Sequence, residues 1–172
     1  MGKSRKADTL LKGVDRKNLG ANQRREKDLK QMLVSFDDLR FAVLATSDRG
    51  RPYASLIAFA LTPDCTTVIF ATPRGTRKYR NLRSQRSVSI LIDNRSQTPE
   101  DLRRAEAVTL VGTAQPVRAG ARRKEYSKLF SNKHPELAGF VGEPGTALVA
   151  VVIEQAIHVT RFQDVSTWMR ET

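Results

Sequence analysis

The chain has 172 residues, of which 40% are hydrophobic and 28% charged, with a formal net charge of +12 and a mean hydropathy of −0.43. Such a length and balance fit one globular domain with its own core and exclude a disordered chain. No apolar run nears the roughly 18 residues needed to cross a bilayer as a helix, and the single cysteine, Cys65, excludes an internal disulfide.

Residues 1–30 hold ten Lys/Arg against four Asp/Glu, so half of the net charge sits in about a sixth of the chain. Residues 1–22 combine these charges with Gly13, Gly20, Asn18 and Asn22 and few apolar side chains, which predicts a basic, flexible arm. No apolar signal core follows the basic Met1–Lys6 segment, and position 6 is Lys6 where myristoylation needs Ser or Thr, so a cytoplasmic protein is expected. The domain proper is read as 23–172. Leu29, Met32, Leu33 and Phe36 recur at helical spacing and predict an amphipathic helix over 23–38.

Strand signals follow. The run 41–47 ends at the turn Asp48-Arg49-Gly50, and 53–61 ends at Thr62-Pro63-Asp64-Cys65. The β-branched run 66–72 completes a predicted antiparallel meander. A basic helix over 75–84 comes next, then a strand over 87–93 and a polar loop over 94–104. The long apolar stretch 105–117 contains Gly112, which predicts a bulge or bend. Helices are expected over 120–131 and 136–141, and a last strand over 147–160. The fold class is therefore mainly β with peripheral α: a six-stranded antiparallel barrel with flanking helices. Cys65 is expected to be a half-exposed structural thiol. His134 and His158, the only histidines, have no second Cys to join them, so a His/Cys zinc site is not expected.

One stretch carries chemistry. From Ala71 through Arg86 there are six basic residues (Arg74, Arg77, Lys78, Arg80, Arg83, Arg86) and no acidic one. A helix beginning near Thr76 would add unpaired N–H groups and the positive end of its dipole, which suits a phosphate. Thr76 can cap the helix, Arg77 can bind an anion bidentately, and Lys78 acts as a point charge. The glycine patterns of a P-loop or a dinucleotide-binding crossover are missing.

The segment Phe70-Ala71-Thr72-Pro73-Arg74-Gly75-Thr76-Arg77-Lys78-Tyr79-Arg80-Asn81-Leu82 resembles the FMN phosphate-binding segment of the pyridoxamine 5'-phosphate oxidase-like, FMN-binding split-barrel family. The run 41–46, Gly50-x-Pro52, Ser55-Leu56-Ile57, the run 88–92 and the run 108–114 follow in the family's order, over about 25–160. The resemblance implies a split barrel, usually a homodimer with FMN at the interface. It implies that Thr72, Thr76, Arg77 and Lys78 hold the phosphate and ribityl chain, with Asn81 supporting them. It further implies that the backbone of Ser55, Leu56 and Ile57 lies along the flavin ring, that Ala71 sits beside the ring or ribityl chain, and that a partner's Arg161, Phe162 or Trp168 completes the site.

The sequence also departs from the enzymes that oxidise pyridoxamine phosphate. Ala54–Leu61 lacks their flavin-contacting Arg and substrate-binding Lys, Ala107 replaces a flavin-contacting Gln, and no Arg-x-His segment closes the chain. The resemblance thus implies an FMN-dependent oxidoreductase of unnamed substrate, or a reductase using a deazaflavin in the same groove. Tyr79, Asp93 and His158 are candidate proton-handling neighbours. Outside redox catalysis, the alternatives are a non-enzymatic flavin or heme binder and a nucleic-acid-binding protein that uses the basic arm. An aromatic content of 6% supplies no stacking platform for the last of these.

Overall fold

A computed structural model describes residues 28–95, 104–160 and 164–171. The basic arm of residues 1–22 lies outside the described residues. Helix α1 (residues 28–33) runs into a 3-10 turn at Val34–Phe36, and Leu29, Leu33 and Phe36 are fully buried from it. The apolar stripe predicted for this helix is thus the face that closes one end of the core.

Strands β1 (Phe41–Asp48) and β2 (Arg51–Ala58) form a hairpin whose register runs from Phe41↔Ala58 to Asp48↔Arg51. Both turn residues, Arg49 and Gly50, have positive φ (48° and 78°), the combination that matches the twist of a two-residue hairpin. The apolar run expected as one strand over 53–61 breaks at Phe59. Its remainder, β3 (Ala60–Leu61), pairs with β4 (Thr67–Pro73) instead of β1. The chain turns a corner here and passes from one end of the sheet to the other. Phe59 is fully buried at that corner, and its carbonyl accepts a 2.8 Å hydrogen bond from His134 Nε2.

Helix α2 (Arg77–Ser84) and strands β5 (Ser87–Asp93) and β6 (Ala107–Pro116) lie where the sequence places them. Helices α3 (Ala121–Lys133) and α4 (Ala138–Gly142) follow, joined by a 3-10 turn at Pro135–Leu137. Strand β7 (Thr146–Thr160) is 15 residues long. An eighth strand, β8 (Asp164–Met169), forms after the last strand that the sequence predicts and pairs with the second half of β7. The described residues thus hold eight strands where six are predicted, through the corner at Phe59 and the addition of β8.

All pairings are antiparallel, in the order β2-β1-β5-β6-β7-β4-β3, with β8 beside β7. The sheet curls until β2 and β4, far apart in that order, touch without pairing. The result is a split barrel. Its interior buries Phe36, Leu44, Phe59, Phe70, Ile90 and Leu110 completely. A second cluster, Ile69, Leu148, Phe130 and Val141, lies between the outer face of β4–β7 and helices α3 and α4. Gly112 marks a register shift in the β6–β7 pairing, and a Cβ there would stand 2.1 Å from the Val152 carbonyl oxygen.

Candidate cofactor site

The barrel is open where β2 and β4 meet without pairing, and α2, which follows β4, packs on β1 beside that opening. Thr76 caps α2, its Oγ1 accepting from the Tyr79 N–H at 3.4 Å and donating to the Pro73 carbonyl at 2.9 Å. Because that donation uses the only hydroxyl proton of Thr76, the 3.1 Å contact between Thr72 Oγ1 and Thr76 Oγ1 is donated by Thr72. The buried Thr72 therefore fixes the cap from below. The cap satisfies the third N–H of the helix, and the Arg77 and Lys78 N–H groups remain at the positive end of the dipole.

Lys78 reaches across the opening to donate to the Leu56 carbonyl at 2.9 Å. Burial pushes its ammonium below the ordinary lysine value of 10.5. The Arg77 guanidinium stacks 4.6 Å from the Tyr53 ring centre. Asn81 is buried and donates from Nδ2 to Thr46 Oγ1 at 3.0 Å, while Thr46 Oγ1 donates to the Tyr53 carbonyl at 3.3 Å. Three ties thus fasten α2 to the β1–β2 hairpin, through Arg77, Lys78 and Asn81.

The edge of β2 has an acceptor and a donor to spare. The Phe59 N–H bonds the Arg40 carbonyl, and antiparallel pairs alternate between bonded and non-bonded, so Val43↔Leu56 is a non-bonded pair. Both the C=O and the N–H of Leu56 therefore face the open edge, where the C=O meets Lys78. The Leu56 side chain is 61% exposed on the outer face. Ser55 and Ile57 point the other way, opposite the core residues Leu44 and Ala42, and Ser55 Oγ is buried without a hydrogen-bond partner.

Of the nine residues marked by sequence, the geometry brings Thr72, Thr76, Arg77, Lys78, Asn81 and the Ser55–Ile57 strand to one corner. The Ala71 side chain lies on the opposite face of β4, against the Phe130 cluster. Thr46 and Tyr53 also belong to the corner, and nothing in the sequence alone marks them. A threonine ending an apolar strand and a tyrosine opening the next carry no signal until the hairpin register places them opposite each other. Tyr79 is buried, and its hydroxyl accepts from the Arg74 guanidinium at 2.8 Å; Asp93 pairs with Arg95, and His158 lies beside Glu106 and the edge of Phe36. Trp168 is buried in the core cluster of its own chain, and Arg161 and Phe162 lie outside the described residues.

Cys65 is buried rather than half-exposed, and burial raises its thiol pKa. Its positive φ of 58° tucks it under the turn in which the Asp64 carboxylate accepts from Thr62 Oγ1 and from Thr66. Among the described residues, no group of three or more His, Cys, Asp or Glu side chains could hold a metal, and no helix is long and apolar enough to cross a membrane.

The sequence profile of the family described as pyridoxamine 5'-phosphate oxidase matches residues 29–160. No curated protein sequence matches the chain. Among solved structures, a heme binding protein from Mycobacterium smegmatis superposes with a TM-score of 0.71 at 16% identity, over 91% of this chain and 60% of that one. The heme storage protein HutZ from Vibrio cholerae gives 0.64 at 19% identity, over 81% and 94%. An FAD-binding protein from Mesorhizobium loti gives 0.60 at 17% identity, over 77% and 90%. At these identities the likeness establishes the fold. The chain spans little more than half the length of the Mycobacterium smegmatis protein.

Proposed function

The chain belongs to the pyridoxamine 5'-phosphate oxidase family, and from that premise we propose that it is an FMN-dependent oxidoreductase. The flavin phosphate is placed at the start of α2 and the ring along the open edge of β2. One observation carries the reading: Lys78 spans the barrel opening to the Leu56 carbonyl. That bond brings a phosphate-type cation and an unpaired strand edge within one side chain of each other.

The fit rests on groups left over by the fold. The Arg77 and Lys78 N–H groups, the two cationic side chains and the Leu56 N–H are donors without a stronger use. A flavin phosphate at this helix start takes Lys78 from the Leu56 carbonyl, which frees that carbonyl to accept from the ring edge. The Ser55 hydroxyl, unpartnered behind the same strand, is the nearest further polar group on β2. Bound FMN supplies the electron transfer, so the chain needs to bind, orient and shield it. Asn81 and Thr46 do the orienting by locking α2 to the hairpin.

Assembly as a cytoplasmic homodimer is part of the same proposal. Phe41 and Leu56 are 56% and 61% exposed on the outer face of β1–β2, an apolar patch next to the cofactor corner. A heme in the same fold is the second reading, favoured by what two of the structural neighbours bind. Against a His-ligated heme, His134 is buried with Nε2 committed to Phe59, and His158 is held between Phe36 and Glu106.

Titration of purified protein with FMN, followed by quenching of flavin fluorescence, tests the reading. Saturable binding is expected, and Arg77→Ala with Lys78→Ala is expected to weaken it at least tenfold, since hydrogen bonds to charged groups contribute about 1.5–3 kcal/mol each. Wild-type protein that shows no saturable quenching, or that copurifies with a Soret band, overturns it. Competition between FMN and a deazaflavin separates those two carriers.

A further inference from the structure

On the other side of α2 lies an open cleft of about 1250 Å³, larger than the roughly 300–1,000 Å³ of ordinary small-molecule pockets. Thr72, Thr76, Arg77 and Lys78 do not line it. Arg74, Arg83 and Arg86 form one wall, from the β4–α2 turn to the end of the helix. Arg118, Arg122 and Arg123 form a second wall, from the loop after β6 into the first turn of α3, and Arg170 also lines the cleft. Glu143 is the only acidic residue in the lining. Among the described residues, Arg83, Arg86, Arg118 and Arg122 make no ion pair or side-chain hydrogen bond, and all four are exposed. Like charges gathered in one concave surface repel one another and focus a positive potential there.

The helix that opens into the cleft breaks its own rules in the same sense. Helix α3 is capped by Gly120, which offers no side-chain acceptor, and its first turn has no acidic residue. Arg122 and Arg123 occupy that turn instead, where the dipole disfavours cations. An anion in the cleft reverses both penalties. Two aromatic rings, Tyr79 and Tyr126, line the same space. A second copy of the chain related by a two-fold axis would set arginines against arginines, so charge disfavours it as the occupant.

We propose that this cleft binds a nucleotide carrying two or more adjacent phosphates, with the phosphates between the Arg83–Arg86 and Arg118–Arg122 walls and the ring system toward Tyr126. Several arginines without ion pairs favour more than one phosphate, the volume admits a full nucleotide, and the tyrosine offers an aromatic face. The inference does not rest on the flavin reading, since the two sites use different residues on different sides of α2.

Isothermal titration of the full chain with ADP, tripolyphosphate and AMP tests it. Saturable ADP binding is expected, with tripolyphosphate competing and AMP at least tenfold weaker. Arg118→Glu with Arg122→Glu should weaken ADP at least tenfold and leave FMN uptake unchanged, and Arg118→Lys with Arg122→Lys should keep most of it. Lys78→Ala should do the reverse, weakening FMN and leaving ADP untouched, so that failure of one site is distinguishable from failure of the other. The proposal is overturned if the wild type binds neither ADP nor tripolyphosphate, or if the Glu pair binds ADP like the wild type. It also fails if the Glu pair changes only the mass measured by light scattering, which assigns the cleft to a contact between copies. Binding of a single-stranded oligonucleotide at least tenfold tighter than ADP and lost in the Glu pair assigns it to nucleic acid and overturns it too.

Discussion

Lys78 carries the expected pH dependence of the proposed site. In the free protein its ammonium sits in a partly dry opening against a neutral carbonyl, and burial holds its pKa below 10.5. A flavin phosphate next to it favours the charged form and raises the pKa again. The complex then binds more protons than the free protein between those two values. FMN affinity is therefore expected to be full below the free-state pKa of Lys78 and to fall as pH rises through it, by up to about tenfold per pH unit. The FMN dissociation constant measured from pH 7 to 10.5 checks this, and Lys78→Arg should flatten the profile because arginine stays charged throughout. A flat wild-type profile removes Lys78 from the phosphate site. The place of Lys78 after Thr76-Arg77 marks it in the sequence as a candidate phosphate ligand, but its grip on Leu56 is not legible there. That bond joins residues 22 positions apart and exists only because the barrel fails to close between β2 and β4.

Strand β6 shows how one residue can set the course of an element. At Gly112 the β6–β7 pairing shifts register, and the Val152 carbonyl comes so near that a Cβ has no room. The obstruction is backbone, so it cannot rotate away as a side chain would. Gly112→Ala is expected to cost about 2–3 kcal/mol, read as a lower denaturant midpoint with unchanged far-UV signal. An unfolding free energy within about 0.5 kcal/mol of wild type would show that the bulge is not a constraint. The sequence announced a bend here, since a lone glycine in a long apolar run is a poor strand residue. It could not give the partner strand. Helix α2 is the complementary case. Its boundaries were readable from Thr76 and the Pro-Gly turn, whereas its anchoring through Asn81 to Thr46 needed the hairpin to be built first.

At the scale of the molecule, two features concern the fold's exposed and buried surfaces. Phe41 and Leu56 form an apolar patch on the outer face of β1–β2 beside the proposed cofactor corner. If that patch is the dimer contact, Leu56→Asp is expected to shift the protein toward monomer in light scattering and to weaken FMN binding at the interface. An unchanged mass dissociates the patch from assembly. His134 is the buried counterpart: it joins α3 to the corner at Phe59 from within the protein. Burial lowers its pKa below 6.5, reinforced by Lys133 and Arg40 and opposed by the bond to Phe59. The unfolded chain takes up a proton first as pH falls, so the stability tied to neutral His134 is present above about pH 6.5 and is lost below it, down through the folded-state pKa. His134→Gln, which can still donate to Phe59, should reduce the slope of stability between pH 6.5 and 5. Equal slopes in the two proteins would refute the assignment.

The sequence by itself determined the β-rich class, nearly every strand, the helix start at Thr76 and the basic set that follows it. These are local properties, written in alternation, turn chemistry and a cap. It also carried the family, because the motif order survives along the chain. Tertiary structure alone decided that the run 53–61 turns a corner at Phe59, that 164–169 adds an eighth strand, and that Tyr53 and Thr46 meet α2. It alone gathered arginines from α2, the β6–α3 loop and Arg170 into one cleft. Each of these depends on which strand edges remain unpaired once the sheet has curled, and that is a property of closure rather than of any segment.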